Sequence, residues 1–401
     1  MLSKLKFIKF KDLLSIFPMV LAFIPAMLTK IFVRRFWLIC EERNEARDNG
    51  YWLFKYIREN VPEQKVAYAI NKKSKEYAKV KDLGKVIQYG GFAHWFWYFV
   101  ADRNISSQKG GKPNNAMCYL LEVVLKLRKN NRVFLQHGIT INNVEFLYFK
   151  NTNMRLFVTT TFAEQKYIEE NFGYPKGYVQ LLGMPRFDNL KNQGYKKNQI
   201  LVMPTWRNWI TREVECEKYE GTRVFNETGY CKAWNEFLNS NKLDEWLKKN
   251  KKEMVFYPHR NMQNYMEYFS TSSKHITIAD GSKYDVQDLL NESAILVTDY
   301  SSVFFDFAYL EKPVVFYQFD EEKFRAGQYG EGYFNYHDND LSLWTDSLDG
   351  VIEHLDGIVS GSATKKLDSK KVFKYVGGGN SKRCYLAIKS LERQKFVRPK
   401  R

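Results

Sequence analysis

The sequence has few cysteines, and none stands in a pattern that binds metal or builds a disulfide framework. Its five cysteines (Cys40, Cys118, Cys216, Cys231 and Cys384) lie far apart, without a CxxC pair or a cluster of cysteine and histidine. This spacing argues against a zinc site and a disulfide-stabilised secreted fold, and it favours a reducing compartment. We expect free thiols, most of them buried.

Other features that would define a function class are also missing. The chain has no internal repeat, no low-complexity segment and no pair of carboxylates with the spacing of a metal site. No metal site and no cofactor is therefore predicted, although a Mg²⁺ ion bridging substrate phosphates stays open. The formal net charge of +17 is dispersed, and aromatic residues are not interleaved with a basic stripe, which argues against nucleic acid. An anionic membrane surface or an anionic substrate would account for the charge.

An uncharged segment near the N-terminus predicts contact with a membrane. Residues 13 to 29 carry no charge, and basic residues flank both ends. Pro18 and Pro25 predict a break in this segment, and positive flanks on both sides favour a segment that dips into one leaflet over one that spans the bilayer. A first core helix is the alternative. We expect residues 1–36 to associate with the cytoplasmic face of the cell membrane, peripherally or as a monotopic segment.

The rest of the chain alternates short apolar runs with helix-like stretches, which predicts an α/β fold with parallel sheets. The predicted strands are residues 66–70, 86–89, 133–135, 156–160 and 179–182, and then 200–203, 255–257, 275–278, 295–297 and 314–317. The polar run 191–199 has the composition of a linker. We therefore expect domains at 37–190 and 200–380, a ligand cleft between them, and a C-terminal helix with a basic tail at 381–401.

The segment TDYSSVFFD, from Thr298 to Asp306, follows an apolar strand and opens an apolar helix. Ser301 and Ser302 stand where backbone N–H groups are left unpaired, and this layout predicts a phosphate-binding turn. Thr298, Asp299 and Asp306 are predicted to take part in donor binding, and Asp306 would hydrogen-bond the backbone of the turn or a ligand hydroxyl. A simple helix cap is the alternative.

Polar residues at the ends of other strands predict further parts of a site. His137 follows an apolar strand, and Gly138 allows a ligand to approach closely, so we predict that His137 is a general base. His259 and Arg260 also follow a strand and are predicted to donate to phosphate oxygens. Structural roles are the alternative for both pairs.

Additional cations lie at the same ends of the predicted sheets. Thr205 and Arg207 follow the first strand of the second half and are predicted to meet anionic oxygens, and Arg325 lies on a later loop that can reach them. Arg186 and Asp188 close the first half. An Arg–Asp pair at the domain junction and a contact with substrate both stay open for them.

Taken together, these segments resemble the CDP-glycerol glycerophosphotransferase family, the teichoic acid primases and polymerases of Gram-positive bacteria. The resemblance covers about Phe36 to Leu391 and rests on residues 41–50, 137–138, 183–188, 204–207, 259 and 298–306. It implies a GT-B architecture, in which two Rossmann-like domains face a cleft, with the donor on the C-terminal domain. It also implies that His137 and His259 are catalytic, that Ser301 and Ser302 bind the donor phosphates, and that Arg325 belongs to a basic loop.

The resulting expectation is transfer of glycerol phosphate or ribitol phosphate from a CDP-alditol to a hydroxyl of a lipid-linked saccharide acceptor, with release of CMP, in teichoic acid or capsule synthesis. Gln136 precedes His137 where the family often has tryptophan, and Arg260 follows His259 where it often has proline. These departures leave the alditol and the acceptor open. A GT-B glycosyltransferase that uses a nucleotide sugar, and a non-catalytic protein that binds anionic lipid or RNA, are the alternatives.

Overall fold

The computed structural model describes residues 9–128, 131–191, 194–210, 225–281, 283–363 and 368–391. The chain divides into two compact units. Unit 1 comprises residues 1–139, 145–188 and 373–401, and unit 2 comprises residues 140–144 and 189–372. The chain therefore passes from one unit to the other four times. We call residues 140–144, which unit 2 takes from the middle of unit 1, the strap.

Unit 1 contains a parallel sheet of seven strands. Its strands are β1 (Trp37–Ile39), β2 (Val66–Ile70), β3 (Val86–Gln88), β4 (Arg103–Ser106), β5 (Arg132–Phe134), β6 (Leu156–Thr159) and β7 (Val179–Leu181). They are ordered β3-β2-β1-β4-β5-β6-β7. The order reverses between β1 and β4, and ligands of doubly wound sheets bind beyond the carboxyl ends of the strands at such a point.

Helices cover the faces of this sheet. They are α1 (Phe10–Leu13), α2 (Ile16–Phe32), α3 (Asn49–Asn60), α4 (Tyr77–Lys81), α5 (Phe92–Val100), α6 (Asn115–Tyr119), α7 (Phe149–Thr152) and α8 (Phe162–Asn171), with single turns at Leu120–Val124, Glu145–Leu147 and Pro185–Asn189. The sheet is buried on both faces, since all five residues of β2 are buried.

Unit 2 repeats this design with a parallel sheet of six strands. Its strands are β8 (Lys196–Met203), β9 (Glu253–Phe256), β10 (Ile276–Ile278), β11 (Ser293–Thr298), β12 (Val314–Tyr317) and β13 (Leu343–Thr345), in the order β10-β9-β8-β11-β12-β13. Its helices are α9 (Gly229–Leu238), α10 (Asn241–Lys249), α11 (Val286–Glu292), α12 (Phe304–Tyr309), α13 (Glu321–Gly327), α14 (Leu348–Ser360) and α15 (Ser369–Val372), with a turn of 3₁₀ helix at Arg260–Tyr268. Its order reverses between β8 and β11.

The last helix in the described part of the chain, α16 (Asn380–Leu391), returns to unit 1. Its side chains Cys384, Ile388 and Leu391 join the core that contains Trp37 of β1. The basic tail predicted beyond it lies outside the described residues. Cys40, Cys118, Cys231 and Cys384 are buried free thiols, as predicted, and Cys216 lies outside the described residues.

All ten predicted strands are present, to within a few residues at their ends, and the α/β prediction is confirmed. Sequence reasoning missed β1, β4 and β13, each of which has only three or four residues. The predicted linker 191–199 is wrong in its second half, because β8 already begins at Lys196 and pairs there with β11.

The N-terminal segment forms one helix rather than a broken segment. α2 runs through both prolines: Pro18 lies in its first turn, where no intrahelical N–H is needed, and Pro25 lies inside it. The small residues Ala22 and Ala26 are buried against the core around Trp95. Along the rest of its surface α2 exposes large apolar side chains, with Phe17 72% and Phe32 82% exposed. No helix in the described part of the chain is long and apolar enough to cross a membrane.

Candidate active site

The loop after β5 presents His137 at the carboxyl edge of the unit 1 sheet. Gln136 has the left-handed φ of 65°, and its side-chain amide donates to Val158 O at 2.8 Å and to Glu164 Oε1 at 2.6 Å. These bonds hold the loop in a conformation that is otherwise unfavourable for a residue with a Cβ. The His137 side chain is left 55% exposed.

His137 is held by a buried carboxylate from another loop. Asp48 Oδ2 lies 2.5 Å from His137 Nδ1, and the Asp48 side chain is only 8% exposed. Arg186 Nη1 donates to His137 O at 2.7 Å and lies 3.6 Å from Asp48 Oδ1. A carboxylate on Nδ1 fixes the tautomer and orientation of an imidazole, so that Nε2 is presented for proton transfer.

Asn49 joins the three loops that meet at His137. Its side chain donates to Gln136 O at 2.7 Å and accepts from Arg186 N at 2.9 Å. Asp48 also begins α3, since its carboxylate accepts from Asn49 N at 2.8 Å. Sequence reasoning missed both residues as parts of the site. The Asp48-Asn49-Gly50 turn was the available signal, but β1, which leads to it, was not recognised as a strand.

Arg186 and Asp188 each contact residues from other parts of unit 1. Arg186, in the turn after β7, contacts the His137 loop and Asp48, whereas Asp188 accepts from Asn380 N and Ser381 N, both at 2.8 Å. Asp188 therefore caps the N-terminus of α16 within unit 1. Gly138 follows His137 and is half-buried.

In unit 2, the residues that open the predicted phosphate turn are buried. Thr298, Asp299 and Asp306 have no exposed surface. The Thr298 hydroxyl donates to Met203 O at 2.7 Å, and the Asp299 carboxylate accepts from Thr205 N at 2.8 Å and Tyr300 N at 2.7 Å. These three side chains therefore lie in the core beneath the turn, and their contact with the donor stays a prediction.

Arg207 also lies in the core, and its contact with anionic oxygens of the donor stays a prediction. It is fully buried, with Nη2 2.9 Å from Asp299 Oδ2 and a bidentate pair to Asp320 at 2.9 Å for both bonds. Burial alone would lower the pKa of Arg207, but the charges of Asp299 and Asp320 raise it by more than burial lowers it. The guanidinium therefore stays charged. Arg207 neutralises two carboxylates that support the turn.

Ser301 and Ser302 are the half-buried part of this turn. They do not cap α12: that helix has six residues, is preceded by Val303, and has no side-chain cap. The Ser301 hydroxyl accepts from Val303 N at 3.3 Å, and neither Ser301 N nor Ser302 N donates to any partner in the described residues. Two backbone donors are thus available to an anion, while a helix this short contributes little dipole.

Hydrogen bonds join the three neighbouring loops after β9, β8 and β11. His259 N donates to Pro204 O at 3.1 Å, and Thr205 N donates to Asp299 as described. His259 Nδ1 accepts from Asn261 N at 3.2 Å, so in the neutral ring Nε2 carries the proton. The buried Thr205 hydroxyl has no partner among the described residues. Arg260 is exposed beside His259.

Arg325 lies on α13 and contacts the strap. Its Nη1 donates to Asn142 Oδ1 at 3.2 Å, and its Nε lies 3.6 Å from Glu321 Oε1. The strap also forms a bridge through Asn143 N, which donates to Gly330 O at 3.0 Å. Within the described ranges, no group of three or more metal-binding side chains occurs.

A family model, CDP-Glycerol:Poly(glycerophosphate) glycerophosphotransferase, matches residues 26–390. Among curated proteins, the chain is 33% identical over 376 residues to the minor teichoic acid biosynthesis protein GgaB of Bacillus subtilis, covering 90% of this chain and 40% of GgaB. It is 24% identical over 299 residues to the teichoic acid poly(glycerol phosphate) polymerase of Bacillus spizizenii, covering 68% of this chain and 71% of that one.

Among solved structures, the wall teichoic acid polymerase TagF has the same fold. Its TM-score is 0.65 at 15% identity, and the match covers 96% of this chain and 99% of that chain. The chain spans well under half the length of GgaB.

Proposed function

The chain belongs to the CDP-glycerol:poly(glycerophosphate) glycerophosphotransferase family, and from that premise we propose that it transfers an alditol phosphate from a CDP-alditol to a hydroxyl of a lipid-linked saccharide. The acceptor oxygen forms a bond to the alditol-bearing phosphorus, the bond from that phosphorus to CMP breaks, and CMP leaves. Glycerol phosphate is the group named by the family description, and ribitol phosphate is the second candidate.

The observation that carries this proposal is the pairing of an exposed histidine with a buried aspartate at the edge of the unit 1 sheet. His137 accepts the proton of the acceptor hydroxyl, and Asp48 keeps the ring oriented and stabilises the imidazolium that forms. Phosphoryl transfer depends mainly on positioning and on neutralising charge, so one base with donors around the phosphates is sufficient equipment.

We assign the donor phosphates to the loops of unit 2. Ser301 N and Ser302 N are available as donors, and Thr205 lies in the adjoining loop, where its N–H donates to Asp299. His259 donates through Nε2, and Arg260 and Arg325 supply positive charge.

We also propose that the apolar surface of α2 binds the membrane from its cytoplasmic side. Exposed apolar residues lie along α2, while Ala22 and Ala26 hold the helix to unit 1. A protein of formal charge +17 is attracted to anionic lipid, and a lipid-linked acceptor resides in that membrane.

The test is incubation of the purified chain with a lipid-linked saccharide and CDP-glycerol, CDP-ribitol, UDP-sugar or GDP-sugar in parallel. Release of CMP with growth of the acceptor by one or more alditol phosphates is expected with a CDP-alditol alone. Release of UDP or GDP would instead identify a glycosyltransferase.

Two variants test the proposed base and the proposed phosphate turn separately. His137→Ala should abolish transfer while CDP-glycerol still binds. Ser301→Ala/Ser302→Ala leaves the backbone donors in place and should weaken CDP-glycerol binding only modestly, by about two- to ten-fold for the lost hydroxyls. A His137→Ala variant with wild-type turnover would exclude the proposed base.

A further inference from the structure

A second buried carboxylate lies beneath the loop that carries Asp48. Glu41 follows β1 by two residues and has no exposed surface. Its Oε1 accepts from Tyr51 N at 2.7 Å and from Asp48 N at 3.1 Å, and its Oε2 accepts from Arg47 N at 3.1 Å. One carboxylate thus ties the end of the loop and the first turn of α3 to the end of β1, an interior strand of the sheet.

The hydrogen bond from Asp48 N connects Glu41 to the residue that contacts the His137 ring. Asp48 has its backbone held by Glu41, and its carboxylate contacts His137 Nδ1 at 2.5 Å. Asp48 Oδ1 accepts a hydrogen bond from Asn49 N at 2.8 Å. The Asp48 side chain has few rotatable bonds, so the direction of its Oδ2 toward His137 depends on where the backbone of Asp48 is fixed.

The chain makes room for Glu41 at this position. A Cβ added to Gly50 would lie 2.9 Å from Glu41 Cγ and 3.0 Å from Glu41 Oε1, both closer than normal contacts. A side chain at position 50 would therefore displace the carboxylate. Glycine in the first turn of α3 costs helix stability, and its presence here is explained by the space that Glu41 occupies.

We propose that Glu41 is a positioning residue for alditol phosphate transfer, which fixes the backbone of Asp48 and thereby aims His137 at the acceptor hydroxyl. The inference rests on the proposed function of His137. A carboxylate suits this role because both of its oxygens accept, whereas an amide would turn an NH₂ group toward backbone N–H donors.

The experiment measures steady-state transfer from CDP-glycerol to a lipid-linked saccharide by the full chain at pH 8, above the value of about 7 to which burial raises the pKa of Glu41. Glu41→Gln should lower kcat by about 10- to 100-fold, since a displacement of about 1 Å at a catalytic group has effects of that size. The KM for CDP-glycerol should stay within about two-fold, because the donor is assigned to unit 2. Gly50→Ala should give the same pattern while keeping the carboxylate, and it serves if Glu41→Gln does not fold.

A double-mutant cycle separates positioning from general support of the fold. If Glu41 acts through Asp48, Glu41→Gln should lower kcat by less than about two-fold in an Asp48→Asn background.

Glu122→Gln is the matched control. Glu122 is a buried carboxylate of unit 1 that accepts from Tyr98 and Lys112 at 2.6 and 2.5 Å, so its loss should lower the melting temperature and leave kcat per folded molecule unchanged.

Equal loss of kcat from Glu41→Gln with and without Asp48 would overturn the inference, as would a rise in KM as large as the fall in kcat. Wild-type kcat in folded Glu41→Gln and Gly50→Ala would do so too. A wild-type chain that transfers nothing from any CDP-alditol would instead refute the proposed function, so the two failures are distinguishable.

Discussion

At the scale of single residues, Arg207 is placed to stabilise the fold of unit 2. Its guanidinium is fully buried between Asp299 and Asp320. Arg207→Met removes the cation and leaves two carboxylates without compensation, so unit 2 should lose about 3–5 kcal/mol of unfolding free energy. Urea unfolding measures this loss. Arg260→Met is the matched control, and since Arg260 is exposed, an equal loss in that variant would contradict the prediction.

The buried carboxyl group of Glu41 should make stability depend on pH. Burial raises its pKa to about 7, and the charge of Asp48 adds to this effect. The folded chain therefore holds this proton to higher pH than the unfolded chain does, and the stability that Glu41 contributes decreases as pH rises from about 4.5 to about 7.

Urea midpoints of the wild type and Glu41→Gln at pH 5 and pH 8 measure this dependence. Because glutamine does not titrate, the stability of the wild type relative to the variant should be lower at pH 8 than at pH 5. A difference that is the same at both pH values, or one that grows with pH, would show that Glu41 ionises as easily in the folded chain as in the unfolded one.

Residue type and position at the end of a strand led to the prediction of His137 as a base. They did not predict which residues contact it. Arg207 after β8 and Asp299 after β11 were both predicted as donor-binding residues, and they form an ion pair with each other at 2.9 Å. The sequence could not reveal that Arg207 would be enclosed by Asp299 and Asp320, because Asp320 lies more than one hundred residues further along the chain than Arg207. Burial of a charge depends on partners brought together by the whole sheet, and local pattern does not contain that information.

At the scale of elements, α2 presents an apolar face that the rest of unit 1 does not cover. Phe17, Ile24 and Leu28 are 72%, 69% and 59% exposed and share one side of the helix. Changing all three to serine should reduce partition into vesicles containing anionic lipid by more than ten-fold, since each buried side chain contributes about 1.5–3 kcal/mol. Vesicle flotation measures the bound fraction.

Leu127→Ser is the control for α2, because Leu127 is 73% exposed and lies outside that helix. It should bind vesicles as the wild type does. The triple variant should also melt at the wild-type temperature, since the substituted side chains do not pack in the core. Unchanged flotation of the triple variant would remove α2 from the membrane proposal.

Periodicity located the long elements well and the short ones poorly. Strands such as β2 and β12 were predicted with their correct bounds because they are runs of four or five buried residues. β1 was not predicted because it has only three residues. It nevertheless lies inside its sheet, between β2 and β4, and leads to Glu41 and Asp48. Local composition does not predict such short strands, because pairing with the neighbouring strands on both sides determines where they form.

At the scale of the whole molecule, the strap ties the sequence around His137 to the fold of unit 2. A Cβ on Gly332 would lie 1.9 Å from Ile141 O and 2.7 Å from Asn142 Cα. Gly332→Ala should therefore displace the strap and destabilise the protein by about 1–3 kcal/mol. Since Ile141 is only four residues from His137, kcat should fall as well.

Gly229→Ala is the control for this prediction. A Cβ there meets no atom within 4 Å, and Gly229 begins α9, so alanine should leave the stability unchanged or raise it slightly. Thermal melts and kcat of both variants decide the matter. A Gly332→Ala protein with wild-type stability would show that the strap can move aside at no cost.

The return of α16 to unit 1 has a consequence during synthesis. Trp37 and its neighbours emerge early, but Cys384, Ile388 and Leu391, which complete the same core, follow only after residues 189–372 have been made. At about 5–20 residues per second, a ribosome needs about 10–40 s for that stretch. Throughout this interval the sheet of unit 1 has an uncovered apolar side. A chaperone can bind there until α16 has been synthesised.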